Sequence, residues 1–213
     1  MNFRLEKLIP LPMADIPNRK SDFWEADSFT FQQGKHYLVE AASGKGKTSL
    51  LSIMYGLRKD YSGKLFLDET DAGTLSIKRW SEIRKNQISY IFQGLELFDD
   101  LSAIDNILLK NNITGIKNTG DIKRMAEQLD IADSLAKKCR FLSFGQKQRV
   151  AMIRALCMPF DFLFADECFS HIDRKNSEEA MKLIIDECAS RDAGLILTSL
   201  GNSFHTFENR ILL

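Results

Sequence analysis

The stretch that most limits how this chain can fold is Glu40-Ala41-Ala42-Ser43-Gly44-Lys45-Gly46-Lys47-Thr48-Ser49-Leu50-Leu51, entered from the apolar run Tyr37-Leu38-Val39. A short buried strand passing through small residues into a helix leaves several amide N–H groups of the first helical turn without partners, all aimed at one spot. Such a spot suits an anion. Gly44 and Gly46 let the backbone curl without a Cβ in the way, Lys47 has the reach for terminal phosphates, and the Thr48 hydroxyl suits Mg²⁺. The phosphate-loop pattern asks for glycine where this chain has Ala41, which works only if the backbone there keeps to angles open to alanine. Taken alone, the loop also reads as an ordinary strand-to-helix turn rich in small residues.

At 213 residues the chain is long enough for one well-buried core, and a single domain is expected. Lys plus Arg and Asp plus Glu number 29 each, which argues against a broad nucleic-acid surface. Cys139, Cys157, Cys168 and Cys188 are widely spaced, form no C-x-x-C pair and read as free buried thiols. No apolar run has the length to cross a bilayer, and Arg4, Glu6 and Lys7 interrupt any signal-peptide core, so a cytosolic, soluble chain is expected.

Phe3 to Ile9 alternates apolar and charged residues like an edge strand, and Pro10, Pro12 and Pro17 then favour a loop. Phe23-Trp24 and Ser28 to Phe31 read as further strand ahead of the run Tyr37 to Val39. After the loop come a helix closed by Gly56, a strand at Leu65 to Leu67, a helix around Trp80 to Arg84, and a strand from Ile88 to Phe92 ended by Gln93. Gly94 to Phe141 turns to helical periodicity, with breaks between Asn111 and Gly120, and reads as an inserted helical lobe. A helix from Gln146 to Met158 leads to the strand Phe160 to Ala165, which ends in Asp166-Glu167. Acids at the carboxyl end of a buried strand are where open α/β sheets place their chemistry. A helix from Arg174 to Ala189, a strand at Leu195 to Thr198 and the segment Arg210 to Leu213 complete the chain.

Ser43 to Thr48, Tyr90-Ile91-Phe92-Gln93, Leu142-Ser143-Phe144-Gly145-Gln146 with Lys147 to Val150, and Phe164-Ala165-Asp166-Glu167 resemble, in order and spacing, the motifs of ATP-binding cassette ATPases. Residues Leu95 to Ile107 look like the lipoprotein-releasing, macrolide-export and cell-division members of that family. The resemblance implies an α/β P-loop NTPase fold: a RecA-like core with an antiparallel β subdomain (1–93 and 142–213) and a helical subdomain (94–141). It implies ATP and Mg²⁺ as ligands, with Ser43, Gly44, Lys45, Gly46, Lys47, Thr48 and Ser49 on the nucleotide. Thr48, Gln93 and Asp166 would serve the metal, and Glu167 would be the base that orients or deprotonates the attacking water.

Family members stack two such domains head to tail. Ser143, Gly145 and Gln146 would then bind nucleotide held by the other copy, and Asp173 would lie in the loop coupling the two sites. Ser143 and Asp173 are also the residue types that cap helices. An integral membrane subunit is the implied partner, holding a homo- or heterodimer at the cytoplasmic face of a membrane.

The departures are specific. Ser199 stands at the catalytic position where the family has a histidine, so slow hydrolysis is expected; Phe144 also replaces a signature glycine, and Cys168-Phe169 replaces a Pro-Thr pair. His171 and His205 match no motif and read as surface histidines, while Phe23 and Trp24 suit the core better than adenine stacking. The alternative to an active transport ATPase is a regulatory or structural module that binds nucleotide but turns it over poorly. A chromosome-maintenance role fits less well, because residues 49 to 141 carry no coiled-coil heptads.

Overall fold

The computed structural model describes residues 1–14, 21, 24, 26–201 and 206–213. In chain order the elements are β1 (Phe3–Pro10), β2 (Phe29–Phe31), β3 (His36–Glu40), α1 (Lys47–Met54), β4 (Tyr61–Leu67), β5 (Thr70–Asp71), α2 (Ile77–Asn86) and β6 (Ile88–Ile91). They continue with α3 (Ala103–Thr114), α4 (Thr119–Gln128), α5 (Phe144–Leu156), β7 (Phe162–Asp166), α6 (Arg174–Ala189), β8 (Gly194–Ser199) and β9 (Asn209–Leu212).

Two sheets result. One is parallel, in the order β6-β7-β8-β3-β9, and the other is antiparallel, in the order β2-β1-β4-β5. β3, β6, β7 and β8 are buried at nearly every position, as a sheet covered on both sides requires. Leu38, Ile91, Leu163, Ala165, Leu195 and Leu197 pack with Val150, Ile153, Leu156, Ala180 and Ile184 of α5 and α6, in a cluster that also takes in Ile107, Ile122 and Met125 of α3 and α4. Tyr37, Val39, Tyr90, Phe162, Phe164 and Ile196 face the other way, toward α1, Trp80 of α2 and Phe3, Leu5 and Leu65 of the antiparallel sheet. Phe3 meets Phe162 edge-on at 5.1 Å between ring centroids, which joins the two sheets.

Several expectations are corrected. β1 is an internal strand, paired with β2 on one side and β4 on the other, because alternation reveals a buried face but not how many neighbours a strand has. Trp24 lies in a turn, with 2 % of its surface exposed, so it belongs to the core and not to a strand; Phe23, Pro17 and His205 lie outside the described residues. α3 runs on to Thr114 before Gly115, at φ +64°, ends it. β7 starts at Phe162, two residues later than the apolar run suggests. The four cysteines are free and buried, as expected.

Gly56 closes the turn after α1 at φ +72°, and a Cβ there would lie 2.5 Å from the Trp80 indole. Gly56→Ala therefore carries both a left-handed backbone cost and a displaced indole, together about 2–4 kcal/mol. Urea unfolding should show a lower midpoint with an unchanged slope.

Candidate functional site

Parallel pairing brings the carboxyl ends of four strands to one rim: β3 ends in the glycine loop, β6 in Gln93, β7 in Asp166 and Glu167, and β8 in Thr198 and Ser199. This common rim is where parallel α/β sheets expose loops and helix N-termini together.

Within the loop, Gly44 and Gly46 take φ +77° and +98°, and Gly46 is the N-cap of α1. A Cβ on Gly46 would sit 2.6 Å from Met13 Sδ and 3.2 Å from the Trp24 ring, so the turn is closed to side chains. Ala41 is not among the residues at positive φ, which is the condition its place in the loop demands.

Lys47 is buried, with 3 % of its side chain exposed. Its Nζ donates to the carbonyls of Ala41 (2.6 Å) and Ala42 (3.0 Å) and lies 3.1 Å from Glu167 Oε1. The other carboxylate oxygen of Glu167 accepts from Gln93 Nε2 at 3.0 Å. One acid is thus bracketed by a cation from the loop and an amide from the end of β6. Glu167 itself holds φ +47°, a left-handed backbone that an ordinary side chain adopts at a cost.

Asp166 is fully buried. Thr198 Oγ1 donates to Asp166 Oδ1 at 2.6 Å and also accepts the Glu167 N–H at 3.1 Å. Tyr90 Oη donates to Asp166 Oδ2 at 3.4 Å, and the Thr48 hydroxyl bonds the same carboxyl. Burial pushes the Asp166 carboxyl above its usual range and Glu167 adds to the rise, while the Thr198, Thr48 and Tyr90 hydroxyls pull it back. Burial likewise raises the Tyr90 phenol, with Asp166 adding to it.

Thr48, Tyr90, Gln93, Glu96 and Asp166 line a cleft of about 450 Å³. The Asp166 carboxylate, Thr48 hydroxyl and Gln93 amide form an all-oxygen donor set, with the Gln93 nitrogen already committed to Glu167. That set fits Mg²⁺, and a divalent cation would offset the cost of the buried carboxylate. Among the described residues there is no group of three or more His, Cys, Asp or Glu able to hold a metal by themselves. Mg²⁺ bound by one carboxylate and phosphate oxygens needs no such cage.

The remaining candidates are distributed differently. Ser43 and Lys45 are exposed on the loop. Ser49 accepts from Arg58 Nη1 at 2.6 Å, a contact that sequence reasoning missed. Ser199 accepts the Gly201 N–H at 3.3 Å through its hydroxyl, and its carbonyl takes the Ala41 N–H. Among the described residues no hydrogen bond joins its side chain to Glu167.

A second group gathers where α5 and α6 begin. Ser143 and Gln146 form a reciprocal capping box on α5, and Asp173 caps α6 by accepting the Asn176 N–H at 3.0 Å. Bonds from Asn176 hold the Asp173 carboxyl below its ordinary range. A Cβ on Gly145 would lie 2.7 Å from the His171 carbonyl, and the Phe144 ring meets the His171 ring at 4.5 Å. The start of α5 therefore packs directly on the loop before α6. Thr198, read from the sequence only as a strand residue, and Tyr90, read as strand and as part of the run ending in Gln93 but given no role, also contact the buried acid Asp166.

A sequence model described as ABC transporter matches residues 25–170. An uncharacterised ABC transporter ATP-binding protein of Thermotoga maritima is 29% identical over 172 residues, covering 79% of this chain and 74% of that protein. The methionine import ATP-binding protein MetN 3 of Oceanobacillus iheyensis is 32% identical over 185 residues, 85% of this chain and 53% of that protein. The macrolide export ATP-binding/permease protein MacB of a Shewanella species is 29% identical over 188 residues, 87% of this chain but 29% of its own length. This chain thus spans about half, or less, of the latter two. Among solved structures, the dimeric ATP-binding cassette MJ0796 in a post-hydrolysis state bound to ADP and Pi superposes with a TM-score of 0.71 at 23% identity, over 92% of this chain and 87% of that one. A putative ABC transporter ATP-binding protein from Pyrococcus furiosus gives 0.76 at 17% identity, over 100% and 98%. Both share the fold, in agreement with the P-loop expectation.

A carboxyl held above its ordinary range binds its proton more tightly in the folded chain than in the unfolded one. The stability it lends is present at low pH and declines as pH rises from the ordinary carboxylate value through the raised one. Above that window the contribution is gone, and the buried carboxylate is carried at a cost. Asp166→Asn, which keeps the bond from Thr198, should raise the melting temperature in metal-free buffer, by roughly 2–4 °C for each 1 kcal/mol gained. An unchanged or lower melting temperature would contradict this account of the carboxyl.

Proposed function

Because this chain belongs to the ABC transporter family, we propose that it is the subunit that binds and hydrolyses ATP, closing head to tail on a second nucleotide-binding domain to drive a membrane-spanning partner. The single observation that carries this is the bracketed carboxylate: Glu167 held between Lys47 and Gln93 at the mouth of the glycine loop. Among the described residues no helix is long and apolar enough to cross a membrane, and in this proposal the spanning part is the partner.

Each residue has a role that its chemistry supports. Lys47 exchanges the Ala41 and Ala42 carbonyls and Glu167 for β and γ phosphate oxygens, which are stronger partners for an ammonium. Released from Lys47 but still held by Gln93, Glu167 takes up the attacking water as its base. Thr48, Asp166 and Gln93 hold Mg²⁺, which when bound neutralises charge on the phosphate oxygens. Gln93 thereby reports the state of the nucleotide to the segment that follows it, where Arg154 of α5 donates to the carbonyls of Leu95 and Glu96. That segment opens the proposed helical subdomain, 94–141, set against the core and β subdomain of 1–93 and 142–213.

Ser43, Gly44, Lys45, Gly46 and Ser49 complete the nucleotide contacts. Ser143, Gly145, Gln146 and Asp173 act across the dimer, their capping bonds serving to hold the starts of α5 and α6 in shape for the opposite nucleotide. Membrane attachment would be peripheral, on the cytoplasmic face. The lipoprotein-releasing, macrolide-export and cell-division branch remains the proposed kinship.

One observation favours the slower alternative, a nucleotide-binding module of low turnover. The Ser199 hydroxyl is engaged by the Gly201 amide and carries no positive charge toward a γ phosphate. We therefore place turnover at the low end for such ATPases.

Steady-state phosphate release by the purified chain separates the two, combined with gel filtration in MgATP. The active reading expects measurable release by wild type and a fall of about 10²-fold or more in Glu167→Gln, with both forms dimerising on ATP. Dimerisation without phosphate release above buffer in either form would leave the low-turnover module. In the same preparation Lys47→Ala should lose about 10-fold or more in affinity for MgATP, read by fluorescent-nucleotide titration; unchanged affinity would remove the loop from the mechanism.

A further inference from the structure

The structure assigns a positioning role to Thr198: its hydroxyl ties the carboxylate proposed to face the metal to the backbone of the proposed base, and so sets the aim of both. The inference rests on the ATPase reading above and adds a residue to it.

β7 and β8 run parallel with Asp166 opposite Thr198. β7 ends at Asp166, and the next residue, Glu167, turns to φ +47°, so its N–H leaves the strand ladder in a part-buried place. An amide in that position needs a partner, and a buried one without a partner costs about 1–3 kcal/mol. Thr198, 1 % exposed, supplies it: Oγ1 accepts the Glu167 N–H at 3.1 Å and spends its own proton on Asp166 Oδ1 at 2.6 Å. A hydroxyl is the smallest side-chain group able to accept one bond and donate another at the same atom.

The consequences reach both acids. Tyr90 and Thr48 also bond Asp166, but Thr198 alone among these hydroxyls links it to the residue that follows. With Oδ1 anchored, the Asp166 carboxylate is held at the wall of the cleft that Thr48 and Gln93 also line. With the Glu167 amide anchored, the left-handed turn is held, and that turn delivers the Glu167 carboxylate to Lys47 and Gln93. Geometry of this kind governs the chemical step more than the binding of substrate, because a small misplacement of a base costs rate while leaving the phosphate grip intact.

The test is Thr198→Val, which keeps the β-branched shape and removes the hydroxyl, beside Thr198→Ser, which keeps the hydroxyl and removes a methyl. Melting curves in metal-free buffer establish that each variant folds. In Thr198→Val, kcat should fall about 10- to 100-fold with KM within about 3-fold of wild type, and Thr198→Ser should recover most of the loss. A second readout uses no turnover. Titration of a fluorescent ATP analogue with and without Mg²⁺ should show the affinity gained from Mg²⁺ reduced in Thr198→Val and retained in Thr198→Ser, with metal-free affinity unchanged in both.

A valine variant that folds and keeps wild-type kcat and wild-type Mg²⁺ dependence overturns the positioning role while leaving the ATPase reading in place. So does a serine variant as impaired as the valine one, which would mean that packing, not the hydroxyl, is what matters. If wild type itself neither binds MgATP nor releases phosphate, the ATPase reading fails and takes this assignment with it.

Discussion

A buried ammonium needs company, and the way Lys47 finds it organises the rim of this protein. Its side chain is 3 % exposed, and the partners within reach are two loop carbonyls and the Glu167 carboxylate. Desolvation consumes much of what a buried ion pair gains, so its net contribution to stability is small. That modest value is useful. A partner of greater charge density, such as a triphosphate, can displace Glu167 from Lys47 at little cost, and the displaced carboxylate becomes free for a second task.

The same rim carries features that a chain selected only for stability would avoid. Asp166 is fully buried with its carboxyl pushed upward, Glu167 sits at positive φ, and Leu95 and Glu96 just after Gln93 are left-handed as well. Strain and buried charge at one place are the mark of a site whose geometry is held by its surroundings. Here the surroundings are the aromatic pack of Tyr55, Tyr90, Phe92 and Phe164 beneath the cleft, the Thr198 hydroxyl, and Arg154 clasping the Leu95 and Glu96 carbonyls.

Much of this was legible in the residues themselves, and the illegible part has a common cause. Gly44, Gly46 and Lys47 announce a loop because local backbone freedom and a helix start are properties of neighbours in sequence. Asp166 and Glu167 stand out because two acids close an apolar run, and Gln93 because it ends another. Thr198 gave no comparable sign, and Tyr90 stood out only as the start of the run that Gln93 ends: their bonds to Asp166 come from the register between β6, β7 and β8, which joins residues 32 and 76 positions apart. Register also explains why β1 looked like an edge, since the strands on either side of it arrive later in the chain. Arg58 reaches Ser49 only because the turn at Gly56 folds it back on α1. Ser143 and Asp173 were legible as capping residues, and capping is what they do within the single chain.

The claim that everything else leans on is competition for Lys47 between Glu167 and phosphate. Titrating a non-hydrolysable ATP analogue with Mg²⁺ into wild type and Glu167→Gln measures it directly, since neither protein turns the ligand over. Removing the competing charge should tighten binding by about 5- to 10-fold, equivalent to roughly 1 kcal/mol. Equal or weaker binding in Glu167→Gln would mean that Lys47 does not trade one partner for the other, and the account would be wrong at its base.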